Sequence, residues 1–149
     1  MLIRTHLAIA IFGILVFISF VEAKLIFVIC VLVATLIPDI DSRFSFIGNK
    51  KIMRILQFFT KHRGVIHSFT FLVLITLIFV LFLPVVAFGF FLGYGLHLFA
   101  DSFTKQGITP FYPWKKKSCG FISSGKRTEV GVFVFFILVD LVLFFVSVF

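Results

Sequence analysis

Cysteine is scarce in this chain, and so is charge. The two cysteines, Cys30 in an apolar run and Cys119 in a loop, form no metal-ligand spacing and support no disulfide framework. Charged residues make up 13% of the chain, well below the roughly 25% of soluble domains. Acids are rarer still: six, against fourteen Lys and Arg. The remainder is apolar, with 61% hydrophobic residues, 25 Phe and a mean hydropathy of +1.22. That balance excludes a soluble globule and describes an integral membrane protein of one domain, 149 residues long. The net charge of +8 does not point to nucleic acid, because the basic residues sit in loops between apolar segments. There they act first as topology determinants.

The apolar sequence falls into four blocks, 7–38, 65–83, 85–103 and 130–149. A crossing needs about 20 residues for a hydrocarbon core of roughly 30 Å. The last three blocks each suit one crossing, with Pro84 marking a tight turn between two of them. A single helix over 7–38 would be roughly 48 Å long at 1.5 Å per residue, well beyond the core. Glu22 and Lys24 interrupt that block, which predicts a helical hairpin of two short spans, 7–21 and 25–38. The expected fold is an all-α polytopic membrane bundle of about five transmembrane helices in one domain, 1–149. A competing pattern is a secretory signal: MLIRTH, an apolar stretch, then V-E-A. The apolar run resumes directly after Lys24, which suits a hairpin better.

The loops are lopsided. All fourteen basic residues except Lys24 lie at Arg4, in 42–64 or in 104–129. With five spans these segments share one face, which the positive-inside rule makes cytoplasmic. Four of the six acids and all four histidines reach that same interface. His6 opens the first span, Asp39 and Asp41 in LIPDIDS close the second, and His62 and His67 in KHRGVIHS open the third. His97 and Asp101 close the fourth, and Glu129 opens the fifth. Tyr94, His97, Asp101 and Thr104 follow the i, i+3, i+7, i+10 spacing of one helix face. His97 and Asp101, four apart, have Cβ atoms about 5–6 Å from one another.

Each motif has a plainer explanation when taken alone. His97 and Asp101 could tie two helices by hydrogen bonding. PDID could be a helix stop enforced by Pro38. HRGVIHS could be a basic loop broken at Gly64, with His67 or Ser68 at the start of the next helix. Convergence on one interface is what points to a site. Imidazole nitrogens with carboxylate oxygens suit Zn²⁺ first, with Mn²⁺ or Fe²⁺ as alternatives. So many His and Asp groups fit one or two divalent ions, with orienting carboxylates and a general base behind them. The lack of thiolates argues against a closed structural zinc site. An open site would lower the pKa of bound water toward 7. Arg43, Arg63 and Lys115, Lys116 and Lys117 could hold an anionic small molecule or lipid substrate. The simpler role for that lysine run is topology or contact with anionic lipid.

TH at 5–6, LIPDIDS followed by FSFIG, HRGVIHS, GYGLHLFADSFTKQGITPFYP and SSGKRTE resemble, in order over about residues 5–130, the YdjM-type family of inner-membrane metal-dependent hydrolases. That family is in turn distantly similar to zinc-dependent phospholipase C and related helical nucleases. The resemblance implies a membrane helical bundle carrying a hydrolytic metal site. By position it makes His6, Asp39, Asp41, His62, His67, His97 and Asp101 the ligand or catalytic set. Within it His6, Asp39, Asp41, His67, His97 and Asp101 are the metal candidates, and His62, with the neighbouring Arg63, the catalytic ones. His62, on the loop side of Gly64, is the proton carrier, and His6 could serve either role. Ser68, Thr104, Glu129, Arg43 and Lys115–Lys117 would orient the ligands or the substrate. Two positions depart from the family pattern. Ser42 stands where a His is usual, and Ile66 where a Thr is usual, which removes a ligand candidate and a hydroxyl.

The expected function is hydrolysis of a phosphoester, lipid-linked esters included, at the cytoplasmic face of the inner membrane. A metal-handling transporter is the rival, although transport sites usually sit near the midplane on broken helices. A non-catalytic scaffold whose metal staples helix ends is the third reading.

Overall fold

The computed structural model describes residues 1–41 and 65–148, the side chains of 40, 41 and 148 excepted. Among these residues the chain forms five α-helices. They are α1 (Ile3–Phe17), α2 (Lys24–Leu36), α3 (Phe69–Phe82), α4 (Pro84–Ser102) and α5 (Arg127–Val148). Three segments, Ile3–Phe20, Pro84–Ser102 and Arg127–Ser147, are long and apolar enough to cross a membrane, while α2 and α3 are shorter apolar helices. His62, Arg63 and Arg43 lie outside the described residues, as does the side chain of Asp41.

Local chemistry sets the helix ends. The block 7–38 is two helices, broken at residues 21–23 after a 3₁₀ turn over Ile18–Phe20. Pro38, which lacks an amide N–H, ends α2 and starts a second 3₁₀ turn, Pro38–Asp41. Ser68 caps α3 by accepting a hydrogen bond from the Phe71 amide at 3.2 Å. Pro84 occupies the first turn of α4, where a missing N–H costs nothing.

Long-range bonds show which ends meet. The Leu2 amide and the Thr5 hydroxyl donate to Glu129, so α1 and α5 start together. His97 near the end of α4 bonds Thr35 near the end of α2. The Phe69 amide at the start of α3 donates to Pro110 O at 2.8 Å, in the loop that follows α4. All five helices therefore present one terminus to the same end of the bundle. The loop between α4 and α5 folds over that end, with Ile108 and Ser118 exchanging two backbone bonds and burying Ile108. Beneath it, one apolar cluster (Leu72, Phe90, Tyr94, Leu98) joins α3 and α4, and another (Ala10, Ile14, Phe27, Val31) joins α1 and α2.

Helix α4 lies centrally because α2 approaches it at glycines. A Cβ at Gly93 would overlap the Val31 carbonyl, and one at Gly89 would press on Cys30. Gly93→Ala is therefore expected to destabilise the protein in detergent by about 1–3 kcal/mol, the usual effect of overpacking a close contact. Gly131→Ala is the control, since a Cβ there meets nothing within 4 Å. Equal unfolding midpoints for the two variants would contradict this α2–α4 contact.

Candidate metal centre

Four elements bring His and Asp side chains to the shared end of the bundle. Helix α1 turns Thr5, His6, Ile9 and Ala10 inward, and a helical stripe of that kind carries His6 with it. The 3₁₀ turn after α2 delivers Asp39. The turn before α3 delivers His67, and it is pinned by the Tyr94 hydroxyl, which donates to the Ile66 carbonyl. The last two turns of α4 deliver His97 and Asp101. His6, His67, His97 and Asp101 are each no more than 1% exposed.

Two overlapping sets have the spacing of a metal site. His6, Asp39 and His97 form one, and His67, His97 and Asp101 the other; within each, one ligand atom per residue lies within 4.8 Å of the rest. His97 belongs to both. The His6 and His97 rings stack with centroids 3.8 Å apart, and His67 meets His97 edge-on at 5.6 Å. His6 Nε2 is 3.4 Å from Asp101 Oδ1, His67 Nε2 is 4.0 Å from Asp101 Oδ2, and His97 Nε2 is 3.9 Å from Asp39 Oδ1.

The tautomer of His97 follows from its partner. Its Nδ1 lies 2.8 Å from the Thr35 carbonyl, which can only accept, so Nδ1 carries the hydrogen. Nε2 then presents its lone pair to the cluster, and it has no hydrogen-bond partner among the described residues. A histidine whose other ring nitrogen is bonded to a backbone carbonyl is the usual arrangement of a metal ligand. Thr35 is fixed in turn, its hydroxyl donating to the carbonyls of Val31 at 2.8 Å and Gly93 at 3.2 Å.

Asp101 gives a second reason for positive charge here. It lies in the last turn of α4, where the helix macrodipole is negative and a carboxylate is disfavoured by about 0.3–1 kcal/mol. The Met1 ammonium sits 2.6 Å from its Oδ1. Burial pushes the Asp39 carboxyl above its ordinary range, against the pull of His6; a bound cation would reverse that trend. The residues thus fit a divalent ion with nitrogen and oxygen ligands, held by His6, Asp39, His67, His97 and Asp101.

The remaining candidates sit outside the cluster. Ser68 caps α3, and its own hydroxyl donates to the Val65 carbonyl. The Thr104 hydroxyl donates to the Asp101 carbonyl at 2.7 Å and accepts from the Gly107 amide, closing the end of α4. Glu129 accepts from Thr5, the neighbour of His6. Lys115, Lys116 and Lys117 are exposed on the covering loop. Ile66 packs its side chain against the apolar cluster. Sequence reasoning missed Thr35, whose role rests on a backbone carbonyl and leaves no mark in residue type. It also missed Asp140, a 7%-exposed carboxyl in α5 with neither oxygen hydrogen-bonded among the described residues. Asp140 was findable as the lone acid inside an apolar span.

The model of a family described as YdjM inner membrane protein matches residues 1–148. Neither the curated proteins nor the solved structures return a match, so none of these comparisons carries the distant similarity to zinc-dependent phospholipase C.

Proposed function

Since the chain belongs to the YdjM inner membrane protein family, we propose that it is a membrane-bound, metal-dependent hydrolase. It acts on a phosphoester at the cytoplasmic face of the inner membrane. The observation that carries this reading is His97: its Nδ1 is committed to Thr35, and its Nε2 faces Asp39 within a buried ring of imidazoles and carboxylates. A bound divalent ion, Zn²⁺ before Mn²⁺ or Fe²⁺, would supply Lewis-acid polarisation of the ester and a more acidic water. The protein's own part is to bind and orient. His97 and His6 stack to fix their nitrogen positions, Thr35 locks one tautomer, and the covering loop keeps bulk water from the buried side. His62 and Arg63, next along the chain to the turn that carries His67, are assigned proton transfer and contact with the anionic substrate.

The position of the cluster at helix ends, rather than at mid-span, favours an interfacial enzyme over a transporter. A non-catalytic staple is the second reading, because the cluster joins α1, α4 and the turns beside α2 and α3. The experiment is turnover of p-nitrophenyl phosphate and bis-p-nitrophenyl phosphate by purified protein loaded with Zn²⁺, Mn²⁺ or Fe²⁺. Wild type should be active, and Asp39→Asn reduced by at least about tenfold. Metal-dependent stability without turnover of any ester would leave the staple and discard the enzyme.

A further inference from the structure

An apolar cavity of about 390 Å³ lies between α2, α3 and α4. Ile26, Ile29, Val33 and Ile37 form one wall, facing Phe79 of α3 and Phe90 of α4. Among the described residues no charged or hydroxyl side chain lines it, and the Cys30 thiol is turned to the Val86 carbonyl at 3.3 Å. The cavity starts on the outer surface of the bundle, where Ile26, Ile29 and Val33 are each about half exposed. It ends at Ile37, two residues before Asp39, whose Oδ1 is 3.9 Å from His97 Nε2.

We propose that this cavity holds one hydrocarbon chain of a membrane lipid, and that the substrate is a phosphoester carried on such a chain. The headgroup half of the proposal rests on the hydrolase reading above; the chain-binding half does not.

Size selects the occupant. Ile26 and Ile37 are separated by about 16 Å at 1.5 Å per residue. Spread over that length, 390 Å³ gives a mean cross-section of about 24 Å². A helix about 10 Å across would need about 80 Å², so a partner's transmembrane segment does not fit inside the cavity, whereas a single extended alkyl chain does. Helix length then places the headgroup. Most of the lining belongs to the two short helices, α2 with 13 residues and α3 with 14, and the rest to α4. Each is about 20 Å long against a hydrocarbon core of roughly 30 Å. A short apolar stretch is accommodated by thinning of the bilayer beside it. Headgroups next to this cavity are thereby drawn toward the depth of Asp39. A lipid seated in it brings its phosphate to the His/Asp cluster without leaving the membrane.

The test uses the full chain in nanodiscs of phosphatidylcholine doped with phosphatidic acid bearing a diazirine midway along one acyl chain. After irradiation, crosslinks mapped by mass spectrometry should concentrate several-fold on Ile26–Ile37 and Phe90 over Leu138 and Leu141, which are equally exposed to lipid on α5. Val33→Trp, made at a half-exposed position so that folding is preserved, should abolish the excess. With metal present, the same variant should lose at least about tenfold in turnover of phosphatidic acid and keep turnover of p-nitrophenyl phosphate. Crosslinks spread evenly over α2 and α5, or unchanged in Val33→Trp, overturn the cavity as a chain site. Localised crosslinks with Val33→Trp hydrolysing both esters as wild type does overturn the substrate assignment alone. Localised crosslinks with no turnover of either ester overturn the hydrolase reading and the substrate class together, while the chain site stands.

Discussion

His97→Ala protein, purified in detergent and equilibrated with Zn²⁺, is expected to retain about a tenth or less of the metal bound by wild type. The reason is topological. His97 is common to both ligand sets, so its loss leaves His6 with Asp39 on one side and His67 with Asp101 on the other. Two ligands do not complete the four positions of a zinc site. Asp39→Ala and Asp101→Ala sharpen the reading, because each touches one set only. If the protein holds two ions, each aspartate variant should keep roughly half of the metal. If it holds one, the three variants should fall together. His97→Ala also removes the bond to the Thr35 carbonyl, worth about 1 kcal/mol. Unfolding midpoints without metal must therefore be measured beside metal content. A His97→Ala protein that folds and binds a full complement of metal would remove the centre from consideration.

The convergence of helix ends was legible because it rests on two robust signals. Apolar blocks of spanning length fix how often the chain turns, and basic loops fix which turns share a face. His6, Asp39, His67, His97 and Asp101 meet as that arithmetic requires. What the sequence could not supply was depth and fine position. The short α2 was legible from the break at Glu22 and Lys24 and from Pro38, but the short α3 was not: the Ser68 cap trims the 65–83 run to Phe69–Phe82. The start of α1 at Ile3, ahead of the apolar block, depends on Glu129 receiving the Leu2 amide from more than a hundred residues away. The loop from Phe103 to Lys126 reads as a basic connector, yet it is a folded cap. Gly107 and Gly125 take positive φ there, and Thr104 pairs with Ile122. Long-range backbone pairing of this kind has no periodicity to betray it. The partner of His97 is a carbonyl, which every residue carries.

Glu129→Ala is expected to lower the unfolding midpoint in detergent by about 10 °C, the largest stability effect of any single substitution considered. The carboxylate is 1% exposed and accepts three bonds, from the Leu2 amide, the Thr5 hydroxyl and the Gly125 amide. It is the polar link between the start of α1, the covering loop and the start of α5. Alanine leaves the buried Thr5 hydroxyl and the part-buried Leu2 and Gly125 amides without their acceptor. The combined cost is about 3–5 kcal/mol, since a hydrogen bond to a charged group is worth about 1.5–3 kcal/mol and two of the three donors regain water. In a chain of this size each kcal/mol shifts the midpoint by about 3 °C. Glu129→Gln keeps one oxygen and should recover a third to a half of the loss. The metal centre should feel the same change at a distance, because Thr5 precedes His6 and the Met1 ammonium rests on Asp101. Loosening the start of α1 moves both, so metal affinity in Glu129→Ala should fall about 10-fold even under conditions where the protein stays folded. A midpoint within about 2 °C of wild type, below the effect of a single lost kcal/mol, would mean that Glu129 does not fasten α1 to the bundle. His6 would then have to be held by its stacking on His97 and its contact with Asp101.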